Sequence, residues 1–137
     1  MPLILGGKQG TTQVAQSTAS TSTPTQTLNT YATIAEMDVT ISNLTIGSII
    51  VARFKGDFYH ATPGTQAYFG LSVDGAAEIE ESFPNTPASN AIFQVYLETV
   101  FVATATSHNV KARWKTGAAT LNGFGTARKL RVFEFRT

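Results

Sequence analysis

The sequence contains no cysteine and few charged residues. Of its 137 residues, 14% are Asp, Glu, Lys or Arg, against roughly 25% in a typical domain, and the formal net charge is +1. Without cysteine the chain has no disulfide framework and no thiolate chemistry, so redox conditions should not affect its stability. A weakly charged surface gives little repulsion between copies, which favours a protein that packs against neighbouring molecules.

Long hydrophobic runs are also missing. No stretch approaches the ~20 apolar residues of a membrane span, and residues 1–7 lack the basic start and long apolar run of a secretion signal. We therefore expect no membrane partner, and synthesis and assembly in a cytoplasm. The length fits a single domain with a sizeable core.

Residues suited to catalysis or metal binding are sparse. The two histidines, His60 and His108, have no neighbour at metal-ligand spacing, and Asp57 with His60 lacks the Gly-x-Ser-x-Gly turn that would present a nucleophile. The acidic residues in the middle of the chain match no calcium-loop pattern, and we interpret them as a solvated edge. They are Asp74, Glu78, Glu80 and Glu81. We predict no enzyme activity, no cofactor, no metal and no small-molecule substrate.

The first 30 residues differ in composition from the rest. In residues 11–30, 14 of 20 positions are Ser, Thr or Gln, without helical or strand periodicity. Ordering this segment costs more free energy than its few apolar side chains return on burial. We therefore predict an extended N-terminal arm over residues 1–30, which adds a strand to a partner molecule, and a folded domain over residues 31–137. The arm residues expected to bind the partner are Leu3, Ile4, Leu5 and Val14.

From Tyr31 onward, apolar and polar residues alternate and turn residues separate the runs, which is typical of antiparallel strands. The predicted strands cover residues 31–42, 48–58, 66–73, 77–82, 91–103, 108–115, 118–121 and 127–136. Eight short strands with this alternation favour two packed sheets over one open sheet. We predict an all-β fold, a two-sheet antiparallel β-sandwich of the jelly-roll kind that carries the extended arm.

Two predicted strands are apolar on both faces. The run 91–103 supplies apolar side chains to each side, and the last strand places Leu130 and Val132 on one face and a pair of phenylalanines on the other. We predict that one face meets the core and the other a sister subunit; the alternative is that both faces are covered within the chain. The apolar residues assigned to the subunit interface are Tyr96, Phe101, Phe133 and Phe135.

Positive charge is concentrated near the C-terminus. Residues 107–137 contain seven Lys or Arg residues against the single acidic residue Glu134. This patch could contact nucleic-acid phosphates, but the near-neutral chain and the lack of a stacking platform lead us to expect no nucleic acid partner. Pairing with acidic residues of a sister copy is the simpler interpretation, and we assign Arg113 and Arg131 to the subunit interface.

A series of short motifs in a fixed order is similar to a known family. They are Met-Asp-Val-Thr-Ile at 37–41, Gly-Ser-Ile-Ile-Val-Ala-Arg-Phe-Lys-Gly at 47–56, Phe-Gly-Leu-Ser-Val-Asp-Gly at 69–75, His-Asn-Val-Lys-Ala-Arg-Trp-Lys-Thr-Gly at 108–117 and Ala-Arg-Lys-Leu-Arg-Val-Phe-Glu at 127–134. From Thr18 to the C-terminus the chain resembles the trimeric jelly-roll domains of the complement and tumour-necrosis-factor-like class, in the version found in bacteriophage virion proteins. Residues 1–17 lie outside the resemblance.

The resemblance implies a homotrimer without catalytic activity on a virus particle. The first expectation is a capsid decoration, or cement, protein on the capsid surface, assembled in the host cytoplasm and bound to the major capsid protein through its arms. The alternative is a receptor-binding tip module of a phage tail or head fibre, in which the loops 61–66 and 83–90 contact the host surface. The arm favours the first expectation.

Overall fold

The computed structural model describes residues 11–20, 23–83 and 88–136, and every secondary-structure element in these ranges is a β-strand. The strands are β1 Thr11–Thr18, β2 Thr25–Gln26, β3 Ala32–Ser42, β4 Ile49–His60, β5 Ala67–Val73, β6 Ile79–Phe83, β7 Ile92–Val102, β8 Ser107–Thr116, β9 Leu121–Gly123 and β10 Lys129–Phe135. Positive backbone φ angles at Asn43, Gly64, Asp74 and Asn90 lie at turns between these strands.

The strands form two antiparallel sheets. In sheet 1, β7 pairs along one side of β4, while β10 and β9 pair one after the other along its opposite side, and β1 and β2 continue beyond β10 and β9. Sheet 2 has the order β3-β8-β5-β6. Strands that follow one another in the chain mostly change sheet, which is the jelly-roll arrangement. The predicted all-β, two-sheet antiparallel β-sandwich is confirmed.

The core lies between the sheets and is built from alternate residues of each strand. In β4, Phe54 and Phe58 are completely buried, as is Phe69 in β5, because strand alternation points them toward the opposite sheet. The Phe58 ring lies 4.5 Å from that of Phe69 and 5.6 Å from that of Trp114, centroid to centroid. This aromatic cluster joins the two sheets and fixes which face of each strand points outward.

All eight predicted strands are present. Their ends agree with the prediction to within about two residues, except that β9 begins at Leu121, three residues later than predicted. The strand that was expected to be apolar on both faces, β7, buries Val95 and Leu97 and leaves the alternate residues exposed. Its second apolar face is therefore not covered by any described residue of the same chain.

The expected extended arm is wrong for the described part of residues 11–30. Residues 11–18 form β1, which pairs with β10 of the same chain from Thr11 opposite Phe135 to Thr18 opposite Lys129. Residues 25–26 form β2, which pairs with β9. The sandwich therefore begins by Thr11 and not at residue 31. Residues 1–10, with the predicted partner contacts Leu3, Ile4 and Leu5, lie outside the described residues.

Polar side chains explain how a segment with so few apolar residues is held in place. The Gln13 side-chain amide donates to the backbone carbonyl of Ser42 at 2.9 Å, and the backbone N–H of Ser20 donates to Glu36 Oε1 at 2.9 Å. The Ser17 hydroxyl also donates to the carbonyl of Glu36. These bonds add to the backbone ladder with β10, so hydrogen bonding orders β1 where burial of side chains does not.

Candidate assembly face

The outward face of sheet 1 carries a group of exposed and half-buried apolar side chains. The strand register places Val14, Phe133, Val51 and Val100 in one cross-strand row, and Phe135, Ile49 and Val102 in the next. Val100 and Val102 are 59% and 55% exposed. We call these seven residues the apolar end of the face. Large apolar residues that cluster on an exposed sheet face are typical of an interaction surface.

The two rows on the other side of the Phe133 row, away from Phe135, are basic. Arg131 lies opposite Arg53, which lies opposite Glu98, and Lys129 lies opposite Lys55, which lies opposite Tyr96. We call these rows, with Arg53, Lys55, Lys129 and Arg131, the basic rows. The face thus changes from apolar to positively charged between the row of Phe133 and the row of Arg131, which are two residues apart along β10.

Arg53 is held in place from two sides. Its Nε donates to Glu98 Oε2 at 2.5 Å, and its guanidinium lies 5.5 Å from the centroid of the Phe133 ring. The hydrogen bond to Glu98, together with the negative charge there, raises the pKa of Arg53 above its ordinary value. Arg53 therefore remains a fixed positive charge at the border between the apolar end and the basic rows.

Strand β7 forms one edge of sheet 1. It pairs with β4 along Ile92–Val102, and in the described part of the chain no strand pairs with its other side. An 11-residue edge strand with exposed apolar side chains is a template for association unless another molecule covers it. Tyr96, Val100 and Val102 extend this exposed surface from the face to the edge.

Sequence comparisons place the chain in no family: no protein-family model matches it, and no curated protein sequence matches significantly. Solved structures are similar in fold. The structure of Eiger TNF from S. frugiperda matches with a TM-score of 0.56 over 90% of this chain and 92% of that chain, at 6% sequence identity. The chain has a tumour-necrosis-factor-like jelly-roll fold. A second match, dimeric latent PorU from Porphyromonas gingivalis, has a TM-score of 0.47 and 11% identity, and covers 90% of this chain and 13% of that chain.

The jelly-roll fold brings together four of the six predicted interface residues. Tyr96, Arg131, Phe133 and Phe135 lie on the outward face of sheet 1, because each occupies an outward position of β7 or β10. Val14, which was assigned to the arm, joins the same face through β1 and is 48% exposed. The sequence indicated these residues one by one, and the register of β1, β10, β4 and β7 brings them onto one face.

Phe101 and Arg113 do not lie on this face. Phe101 points toward sheet 2, where its ring packs against the edge of the His108 ring at 5.3 Å. Arg113 lies in sheet 2, and its guanidinium bonds Glu78 Oε2 at 2.7 Å and the carbonyl of Tyr31 at 2.8 Å within the same chain. The expected pairing of Arg113 with acidic residues of a sister copy is therefore replaced by a pairing with Glu78 inside one chain. The side chains of Glu80 and Glu81 lie outside the described residues.

The basic residues of sheet 2 all have partners within the chain. Lys111 lies 3.8 Å from Asp38, and the Lys115 ammonium lies between the rings of Tyr31 and Tyr68, at 4.8 and 5.0 Å from their centroids. A further member of the C-terminal positive group, Arg128, is completely buried. The C-terminal cations are thus divided between sheet 2, where each contacts a carboxylate or an aromatic ring, the buried Arg128, and the basic rows of sheet 1.

The structure does not assemble the catalytic residues considered from the sequence. In β4, Asp57 points outward and His60 points into the core, because an odd spacing places two residues on opposite faces. His60 Nε2 bonds the hydroxyl of Thr116 at 2.9 Å, and burial lowers the pKa of His60. His108 Nδ1 bonds Asp74 at 2.5 Å, while its Nε2 accepts the backbone N–H of Thr104 at 3.2 Å. Both histidines therefore hold the chain in place where strands end: His60 at the end of β8, and His108 at the loops that contain Asp74 and Thr104.

Groups of metal-binding side chains are likewise missing from the described ranges, in which no three His, Cys, Asp or Glu residues cluster. Across residues 11–20, 23–83 and 88–136 the structure also contains no helix that could cross a membrane.

Proposed function

We propose that this chain is a non-catalytic structural protein that works as a homotrimer, with the outward face of sheet 1 between the copies. The observation that carries the proposal is the apolar end, which the described part of the chain leaves exposed or half-buried and which lies beside the unpaired edge of β7. Completing the burial of each half-exposed Val or Ile contributes on the order of 1 kcal/mol. A second copy of the chain supplies the matching apolar surface.

The geometry of the two surfaces favours a closed ring. The exposed edge of β7 and the β1–β10 side of the face are different surfaces, so a contact between them is heterologous. Copies joined by a heterologous contact form a closed ring when the rotation from one copy to the next returns to the first copy. The resemblance to trimeric jelly-roll domains supports three copies. Arg131 and Tyr96 then lie within or beside the contact, as the sequence predicted.

A charge placed in the apolar end tests this interface. Phe133→Glu should convert the trimer to monomer in analytical ultracentrifugation, because a carboxylate would be buried against apolar side chains. The matched control is Thr33→Glu, at an exposed position of β3 in sheet 2, which should leave the mass unchanged. A wild-type protein that is monomeric at tens of micromolar, or two variants of equal mass, would contradict the homotrimer.

On a virus particle, such a trimer serves as a capsid decoration protein that contacts the major capsid protein. The resemblance to phage virion proteins supports this role, and the low charge of the chain suits a protein packed among others. Since β1 and β2 join the sandwich, the prediction of a partner-binding arm now concerns residues 1–10 and their Leu3, Ile4 and Leu5. Ten residues span at most about 33 Å, and three such segments on one trimer bind multivalently.

Removal of residues 2–10 tests the decoration role. The truncated protein should keep its trimer mass and its thermal stability but lose binding to capsid particles in a sedimentation assay. A full-length variant with Leu3, Ile4 and Leu5 all changed to Ser is the control that separates side-chain contacts from chain length. Undiminished particle binding by both variants would exclude this segment as the capsid contact.

A second candidate function, a receptor-binding tip of a phage fibre, is favoured by an aromatic recess at one end of the sandwich. The recess has a volume of about 350 Å³ and is lined by Thr23, Tyr59, Asn90, Ile92 and Phe124, of which Asn90 belongs to the predicted loop 83–90. The Tyr59 and Phe124 rings meet edge to face at 6.3 Å. Tyr59→Ala should abolish host-cell binding if this role is correct, and the truncation of residues 2–10 should spare it.

A further inference from the structure

The basic rows of sheet 1 surround a recess on the outward face. The recess has a volume of about 220 Å³ and is lined by Arg53, Lys55, Tyr96, Lys129, Arg131 and Phe133. Four cations thus lie in opposed pairs on β4 and β10, and Tyr96 and Phe133 contribute to the same lining.

The cations lie in an arrangement that is unfavourable by itself. Arg53 is directly opposite Arg131, and Lys55 is directly opposite Lys129. Directly opposite residues of an antiparallel pair have Cβ atoms about 5 Å apart, and like charges at this distance destabilise the pairing. The ladder therefore repeats the same repulsion in two consecutive rows.

The chain neutralises little of this charge. Among the described residues, Glu98 pairs with Arg53, and no carboxylate lies within ion-pair distance of Lys55, Lys129 or Arg131. Sheet 2 differs, since Lys111, Arg113 and Lys115 each contact a carboxylate or an aromatic ring. Unpaired like charges are thus a property of this recess and not of the whole surface.

We propose that the recess binds a tetrahedral oxyanion, a phosphate or sulfate group. Arg53 uses its Nε for Glu98 and keeps both terminal nitrogens for the ligand, and Arg131 offers a second planar guanidinium. Guanidinium groups bind such oxygens in bidentate fashion, while the two lysines add point charges. The Phe133 ring under Arg53 restricts the motion of that guanidinium, so less conformational freedom is lost on binding.

The site is complete within one chain, so it does not depend on the proposed trimer. Oxyanion binding should nevertheless favour association of the copies, because the basic rows share the outward face with the apolar end. A bound oxyanion neutralises cations that otherwise repel those of an approaching copy. The Phe133→Glu variant should also bind the oxyanion more weakly than the wild type, since Phe133 lines the recess and lies against Arg53.

Titration calorimetry with sodium phosphate and sodium sulfate, at an ionic strength matched with sodium chloride, tests the inference. The double variant Arg131→Gln with Lys129→Gln should bind about ten-fold more weakly or worse than the wild type, because charge-assisted hydrogen bonds are lost. The control Lys111→Gln in sheet 2 should bind like the wild type. Both variants should fold, since the first removes repulsion and the second an exposed side chain.

A variant that is expected to bind the oxyanion more tightly strengthens the test. Glu98→Gln removes the internal carboxylate that competes for Arg53, so it should bind phosphate more tightly than the wild type. Equal affinity of wild type and double variant, or heats that sodium chloride reproduces, would overturn the site. A sulfated disaccharide compared with its unsulfated form separates the sources of the group: tighter binding than free sulfate assigns it to a glycan, and equal binding assigns it to the free ion.

Discussion

Gln13 Nε2 donates a hydrogen bond to Glu134 Oε1 at 3.0 Å, which joins the first described strand to the last through a completely buried carboxylate. The other oxygen, Oε2, accepts the backbone N–H of Thr45 and the hydroxyl of Ser48, each at 2.8 Å. Two separate segments, β1 and the loop between β3 and β4, thus converge on Glu134 in β10. This explains how a Thr- and Gln-rich strand that has little to bury remains part of the sandwich.

Replacement of the Glu134 carboxylate should weaken the attachment of β1. Glu134→Gln turns one acceptor oxygen into a donor that faces other donors, and the loss should be about 1.5–3 kcal/mol in the free energy of unfolding by urea. Hydrogen exchange of the β1 amides should accelerate more than that of β8. The control Glu98→Gln breaks an exposed ion pair and should cost about 0–1 kcal/mol. Similar losses in the two variants would contradict the central role of Glu134.

The same carboxylate should make stability depend on acid pH. Burial alone would raise the pKa of Glu134, but the hydrogen bonds from Thr45, Ser48 and Gln13 outweigh it, and the pKa lies below its ordinary value. The ionised group therefore stabilises the fold fully above its unfolded pKa of about 4.3, and this stabilisation is lost as pH falls through the lower folded value. The free energy of unfolding, measured from pH 6 to pH 3, should fall less steeply in Glu134→Gln.

His60 should produce a separate pH effect nearer neutrality. Its Nε2 donates to the Thr116 hydroxyl, which in turn donates to the carbonyl of Ala118, and its Nδ1 has no hydrogen-bond partner in the described structure. Burial lowers the pKa of His60, so the neutral ring stabilises the fold above its unfolded pKa of about 6.5, and this stabilisation declines as pH falls toward the folded value. The midpoint of thermal unfolding should drop between pH 7.5 and 5.5. His60→Gln, which keeps a donor near the Nε2 position, should remove this part of the pH dependence; an unchanged profile would contradict the assignment.

Gly70 permits the ion pair on sheet 2. A Cβ at this position would lie 2.6 Å from the carbonyl oxygen of Ile79 and 2.7 Å from Glu78 Cβ, so Glu78 reaches Arg113 across a space that only glycine leaves open. Gly70→Ala should cost about 1–3 kcal/mol in the free energy of unfolding, because backbone and side chain must both move. Gly117→Ala, where the nearest atom to an added Cβ is 3.7 Å away, should change stability by less than about 0.5 kcal/mol. A neutral Gly70→Ala would show that β6 shifts easily.

The regular strands were predictable because their signal is local. Phe54 and Phe58 on one face of β4, with Arg53 and Lys55 on the other, already show the alternation that burial confirms. Phe133 and Phe135 were likewise predicted to lie on the other face of the last strand from Leu130 and Val132, without knowledge of the fold. Strand β1 was missed because nothing in its own sequence orders it: its partners, Glu134 and β10, lie more than 100 residues away in the chain.

The candidate site was predictable only in part, for a similar reason. The sequence indicated Arg131 as a cation and Tyr96 as an exposed aromatic, but it placed Phe101 and Arg113 beside them, where the structure has them in other surroundings. Which residues share a row depends on strand register, and register links residues such as Arg53 and Arg131 that are far apart in the chain.

What the amino-acid sequence determined by itself is the fold class, the approximate strand ends and the inward or outward direction of most side chains. Each of these follows from alternation over a few neighbouring residues, which local sequence contains in full. Tertiary structure alone decided that β1 joins the sheet, that Arg113 is neutralised by Glu78, and that four cations meet in one recess. These features depend on pairing between distant strands, and the free energy that selects such a pairing comes from both partners at once.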